Sequence, residues 1–234
     1  MKHSTRLTTL LGIDYPIIQG PFGGGMSSSQ LAASVSNAGG LGSYGAHILT
    51  GLEIETLVAD IRSRTQRPFA INLWVSEQDE RAKSITQSEF EQYRAQYSTI
   101  YEQFGIEPPS WPVSRERLYE SQVEAVLKTQ PAVFSFVFGI PSSDILEACR
   151  KRNIVTIGTA TTLEEALAIE AAGCDAVVAT GFEAGGHRPS FMRSAEDALM
   201  GTLALVPIVA DAVRIPVIAA GGIADQRGVQ AALA

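Results

Sequence analysis

A rhythm restricts the fold of this 234-residue chain more than any single motif does. Short runs rich in Val, Ile and Ala alternate with stretches whose apolar residues recur at helical spacing. The runs are PIIQGPF (16–22), GLGSYGA (40–46), PFAINLWV (68–75), AVFSFVFG (132–139), IVTIGTA (154–160), AVVATGF (176–182) and PVIAAGG (216–222). Between them lie QLAASVSNAG (30–39), GLEIETLVADIRSRT (51–65), PSSDILEACRKRN (141–153), TLEEALAIEAAG (162–173) and GTLALVPIVADAV (201–213), with DQRGVQAALA (225–234) last. Near-continuous apolar runs suit parallel strands covered on both faces, and strand–helix–strand repeats imply right-handed βαβ units. The spacing predicts an α/β protein, a TIM-type (β/α)8 barrel rather than an open doubly wound sheet. Seven strands are expected, so the barrel as it stands lacks an eighth strand and the segment after it, and strand edges are left unpaired.

Local signals support the helices. Thr162 ahead of Glu164 and Glu165, and Ser142 or Ser143 ahead of Asp144, supply cap oxygens and first-turn carboxylates. Asn153 and Gly173 stand where left-handed helix ends are expected. Residues 76–113 break the rhythm. They are polar, with an amphipathic stretch around 88–104 and a proline-stiffened FGIEPP (104–109), and an outer helix, RERLYESQVEAVLKTQ (115–130), follows. The expectation is one domain over 1–234 with this insertion at its catalytic face, where it either forms a lid or decorates a loop.

Composition narrows the function. A formal charge of −7 argues against nucleic acid, which needs a basic patch. Cys149 and Cys174 show no paired spacing, which fits a reducing, cytoplasmic setting. No run approaches the roughly 20 apolar residues of a membrane span, and the N-terminal stretch does not read as a signal peptide. No histidine–carboxylate spacing suggests a metal site. A homo-oligomer is allowed by the unpaired edges.

In a barrel, ligands sit at the carboxyl ends of the strands. Several of these ends are glycine-rich: QGPFGGG (19–25), GFEAGGH (181–187) and AAGGI (219–223). Glycine lets backbone approach a ligand closely, and AAGGI ahead of a helix start suits a phosphate. GFEAGGHRP (181–189) places two glycines just before one of the chain's three histidines. Either a flat ligand lies against that backbone with the His187 imidazole overhead, or His187 is a turn residue capping a carbonyl. An imidazole with a pKa near about 6.5 can exchange a proton at neutral pH.

PIIQGPF, AASVSNAGGLGS (32–43), PFAINL, FSFVFG, FGIEPP, GFEAGGHR and IAAGGIAD (218–225) resemble, in order along nearly the whole chain, the nitronate monooxygenases, in particular their class I branch. The resemblance implies an oxidoreductase that uses FMN, without metal, to oxidise alkyl nitronates of the propionate 3-nitronate type with O2 to a carbonyl compound and nitrite. Its partners would be the anionic nitronate and O2. His187 matches the catalytic histidine, which accepts the α-proton of neutral nitroalkanes and positions nitronates. Asn72 matches a flavin-ring contact, and Gln19, Gly20, Pro21 and Phe22 match the segment along the isoalloxazine. Gly185 and Gly186 match flavin-contacting backbone, and Gly221 and Gly222 match phosphate-side contacts. Thr180 stands where the family commonly has a flavin-facing glutamine, and Pro189 where it has glycine. Two other readings remain: an NAD(P)H-dependent flavin reductase of the same superfamily, acting on an enoyl thioester or quinone, and a non-catalytic remnant.

Overall fold

The computed structural model describes residues 4–75, 85–111 and 118–233. Two compact units result, one formed by residues 1–76 with 118–234 and the other by 77–117. In chain order the first unit begins with α1 (Arg6–Leu11), α2 (Ser29–Asn37), β1 (Gly42–Gly45), α3 (Gly51–Arg64) and β2 (Phe69–Trp74). The second unit contains α4 (Gln87–Gln96) and α5 (Ser98–Phe104). The first unit resumes with α6 (Leu118–Thr129), β3 (Val133–Val137), α7 (Ser143–Lys151), β4 (Val155–Ala160) and α8 (Leu163–Ala171). It continues through β5 (Ala176–Thr180), α9 (Thr202–Ala212), β6 (Val217–Ala220) and α10 (Gln226–Leu233).

The six strands form one sheet, and each is parallel to the next in sequence. Strict sequential order is the TIM-type pattern; a doubly wound sheet reverses order at a switch point. The strand residues sort into two apolar layers by alternation. Ile71, Leu73, Phe134, Phe136, Val177 and Ala179 face the helices, with Ile54, Val58, Val126 and Ile169 opposite them. Leu41, Ala70, Val133, Ile157 and Ala176 face inward and form a second cluster. That inner cluster lies at the amino ends of the strands. Leu7 and Leu11 of α1 complete it, so a short helix that the strand rhythm does not anticipate closes the bottom of the sheet.

The run at 16–22, expected as a strand, is reduced to one parallel bridge, Ile18 to Leu41. Leu41 N–H donates to Ile17 O and Gln19 N–H to Leu41 O, both at 2.9 Å. Beyond Gln19 the chain turns, with Phe22 N–H bonded to Gly20 O at 3.0 Å, and Pro21 has no N–H to extend a ladder. Among the described residues no ladder joins β6 to this run, so the sheet is a partial barrel.

Helix ends follow the expected chemistry, with one exception. Thr162 accepts from Glu165 N–H at 3.3 Å, and Asn153 and Gly173 adopt φ of 56° and 83°. Ser142 precedes α7, but its hydroxyl accepts no capping bond. In the second unit, Thr86 and Glu89 form a reciprocal capping box on α4. The single amphipathic stretch expected there breaks at Tyr97 into two helices. Positions 76–84 and 112–117, including the ends of the expected insertion and the start of the outer helix, lie outside the described residues.

Among the described glycines, Gly42 has the least room for a side chain. A Cβ there would stand 1.8 Å from the Ala32 carbonyl oxygen of α2. Neither backbone can move without breaking its own ladder, so Gly42→Ala should destabilise the protein by about 1–3 kcal/mol or more. Gly185→Ala, which would meet nothing within 4 Å, should leave the urea midpoint unchanged.

Candidate active site

The carboxyl ends of the strands carry the predicted site, and the segment after β5 is its least regular part. Between Thr180 and the 3-10 turn Ala195–Asp197 the chain has no helix or strand. Side chains hold it instead. The Arg188 guanidinium donates from Nη1 to Thr180 O at 2.6 Å, from Nη2 to Thr161 O at 3.3 Å and from Nε to Ala198 O at 2.9 Å. Glu165, 0% exposed, accepts from Thr161 N–H at 2.6 Å and its hydroxyl at 2.7 Å, and from the N–H groups of Phe191 at 2.6 Å and Met192 at 3.0 Å. Burial lowers the Arg188 pKa, and the nearby Glu165 and Glu183 carboxylates oppose that shift.

Glu183 serves a third anchor. Gly201 offers no side chain to cap α9, so the Glu183 carboxylate accepts from Thr202 N–H at 2.9 Å. Its own backbone N–H and that of Thr202 hold this carboxyl below the usual glutamate range. The Thr202 hydroxyl lies 3.0 Å from the same carboxylate and 3.1 Å from Gly221 O, which joins the ends of β5 and β6. The carboxylate is thereby engaged in tying the loop to the start of α9.

Thus anchored, His187 sits beside an aromatic group that no local pattern brings together. The Trp74 ring lies 5.0 Å from the His187 ring at 65°, and 4.9 Å from Phe138 at 62°. His47 stacks on Trp74 with centroids 3.9 Å apart and planes within 2°. Phe138 reaches this position with φ of 61°, a left-handed conformation that costs a non-glycine residue about 1–3 kcal/mol and persists where the surroundings over-determine it. The His47 pKa is lowered by burial first and by the charge of His187 second.

The remaining expected residues divide by position. Asn72 is 2% exposed, and its amide donates to Ser135 Oγ at 3.0 Å on the next strand. Gln19 accepts from Ser43 N–H and donates to Ser27, both at 3.4 Å. The backbone at 21–23 crosses directly over Gly45, where a Cβ would stand 2.7 Å from Pro21 O. Gly20 and Pro21 are exposed and Phe22 is 49% exposed, so these present a surface at the rim and not a packed wall. Thr180 is buried, and its carbonyl is taken by Arg188. Gly185 and Gly186 front open space, with Gly186 at φ 87°. Gly221, at φ 115°, abuts Thr202 and Ala184, while Gly222 adopts φ 70°. Sequence reasoning passed over Trp74, Phe138, Arg188 and Glu165; only the strand-end positions of Trp74 and Phe138 hinted at them.

A family model for nitronate monooxygenase matches residues 4–234. The chain belongs to that family. A probable nitronate monooxygenase of Staphylococcus aureus is 41% identical over all 234 residues, which are 64% of the relative's length. Among solved structures, the nitroalkane oxidase of Streptomyces ansochromogenes matches with a TM-score of 0.85 and 37% identity, covering 98% of this chain and 64% of that one. FabK from Thermotoga maritima matches at 0.73 and 29% identity, covering 98% and 58%. The chain therefore spans somewhat under two thirds of the family relatives it matches.

Two outcomes test this geometry. Glu165→Ala would leave the buried Thr161 N–H and hydroxyl without their acceptor, at about 1–3 kcal/mol for each buried unpaired donor; urea denaturation should show at least that loss. The lowered His47 pKa means the unfolded chain binds this proton more tightly. Its contribution to stability is complete above the ordinary value of about 6.5 and is lost as pH falls through the lower folded-state value. The midpoint of the wild type relative to His47→Phe should be flat above about pH 7 and decline below about pH 6.5.

Proposed function

We propose that this chain carries the FMN-binding and proton-handling part of an enzyme that oxidises alkyl nitronates with O2 to a carbonyl compound and nitrite. One observation carries the reading. His187 lies in the loop that follows β5, its ring 5.0 Å from that of Trp74, directly after two glycines where a Cβ would meet nothing within 4 Å. Such a bare stretch of backbone admits a planar ring, and an imidazole beside it is within reach of a substrate lying on that ring. Family membership supports the reaction class.

The residues present fit the cofactor. Gly185 and Gly186 would face the isoalloxazine, with the Asn72 amide and the 19–22 segment along other parts of it, and Gly221 and Gly222 would lie towards the phosphate. When bound there, FMN supplies the redox chemistry between nitronate and O2. The protein's own work is to bind, orient and move a proton. A neutral His187 accepts the α-proton of a nitroalkane; towards a substrate that is already a nitronate it only orients. Arg188 positions His187 through the carbonyls of Thr180 and Ala198, because it follows His187 directly in the chain. Trp74 and Phe138 wall one side of the imidazole, and His187 is otherwise exposed, open to a ligand from the side of Gly185 and Gly186.

The substrate would be a small organic anion, and O2 the second reactant; the surroundings would be the cytoplasm. No helix among the described residues is long and apolar enough to cross a membrane.

The test is nitrite release from a nitronate in air with no nicotinamide present. Release supports the oxidase; NAD(P)H consumption without nitrite points instead to a flavin reductase. His187→Asn should keep the yellow chromophore, lower kcat/KM for neutral nitroalkanes by about 100-fold or more, and lower it far less for nitronates. Equal losses on both substrates would remove His187 from the proton transfer.

A further inference from the structure

We propose that His47 is a second substrate-facing imidazole, a specificity residue that recognises the negative charge of the substrate. The inference rests on the reading above for the identity of that substrate, and on the following geometry for the site itself.

His47 is held more firmly than an exposed loop histidine requires. Its ring lies flat on Trp74, whose edge meets His187, so one indole carries both imidazoles. Its backbone carbonyl accepts from the Gln122 amide at 2.9 Å, and the same amide lies 2.7 Å from Leu49 O. That glutamine is buried on α6 and braces the whole 46–49 turn. The ring also fills the space beside Gly23, where a Cβ would come within 2.3 Å of His47 Cε1 and 2.9 Å of Nδ1. Any larger residue at position 23 would displace the imidazole.

Despite this bracing, His47 Nδ1 is buried without a hydrogen-bond partner. An unpaired buried polar atom costs about 1–3 kcal/mol, and native structures rarely keep one without a use for it. The stack on Trp74 and the close approach at Gly23 hold the ring in place. Among the described residues, the charged group that bears on the His47 pKa is the His187 imidazole, and no carboxylate does. A site with two imidazoles and no acidic partner favours an anion. The flat stack on indole stabilises the imidazolium that forms when an anion brings a proton with it, through cation–π attraction. Arg188 cannot fill this role, since its guanidinium is committed to the carbonyls of Thr161, Thr180 and Ala198.

The closing experiment compares ethyl nitronate with nitroethane, which share a carbon skeleton and differ in charge. It uses the FMN-loaded protein and His47→Phe, which keeps an aromatic ring on Trp74. The ratio of KM for nitronate to KM for nitroethane should rise about tenfold in the variant, equivalent to about 1.4 kcal/mol; an unchanged ratio overturns the proposal. Calorimetric titration with nitrite gives a readout that needs no turnover. Wild type should bind nitrite and His47→Phe should bind it about tenfold more weakly. Equal affinity, or no nitrite binding by the wild type, overturns the proposal. Gly23→Ala provides a second variant, in which His47 remains but leaves its seat; it should weaken nitrite binding in the same way. Nitrite binding that depends on His47, in a protein that releases no nitrite from nitronates, would sink the proposed reaction and leave the anion site standing.

Discussion

The buried carboxylate of Glu165 is the constraint on which the site depends. Taking a charge out of water is costly unless its lone pairs are filled. At Glu165 they are filled by Thr161 on its own side of the helix cap and by the N–H groups of Phe191 and Met192 from the far end of a loop without regular structure. The helix that carries Glu165 packs on β4 and β5, so its carboxylate is in effect a fixed point on the sheet. Arg188 answers from the loop itself by donating to carbonyls at the ends of two strands. Between these anchors the chain has little freedom, and His187 lies within that span. The precision of the imidazole is borrowed from the sheet through polar bonds, because a loop of this kind has too little apolar surface to hold its own shape.

A second theme is the use of missing side chains. Gly42 admits α2 against β1, Gly45 admits the 21–23 crossing, and Gly23 admits the His47 ring. In each case the glycine faces a definite atom, and conformational freedom plays no part; none of these three has a left-handed φ. Gly186, Gly221 and Gly222 differ, since positive φ is required of them where the chain turns beside the site. Similar residues therefore do two kinds of work within a few ångströms, packing at the rim and turning around the ligand space.

The layout of two imidazoles on one indole also gives the site a sign. The chain as a whole is acidic, with a formal charge of −7, and a small anion approaching it meets a repulsive average field. Locally the balance is reversed. Glu183 is spent on Thr202 and Glu165 on the loop, and among the described residues no carboxylate bears on His47. Net charge decides which partners approach; the few groups that face the ligand decide which are held.

The sequence alone determined the alternation of parallel strands and helices, the order in which they pair, and the glycine-rich rims where a ligand would lie. These are carried by local periodicity and by residue types whose backbone preferences act over a few positions, which is why caps such as Thr162 and turns such as Asn153 and Gly173 were legible. The tertiary structure decided what no local signal encodes. It reduced the run at 16–22 to a single bridge, since a strand is a strand only when a neighbour presents its backbone. It folded α1 under the sheet, because a six-residue helix has no stability of its own and exists by virtue of the cluster its leucines enter. It brought His47, Trp74, Phe138 and His187 together from four separate strand ends. Residues distant in sequence meet there only because parallel strands all deliver their carboxyl ends to the same side.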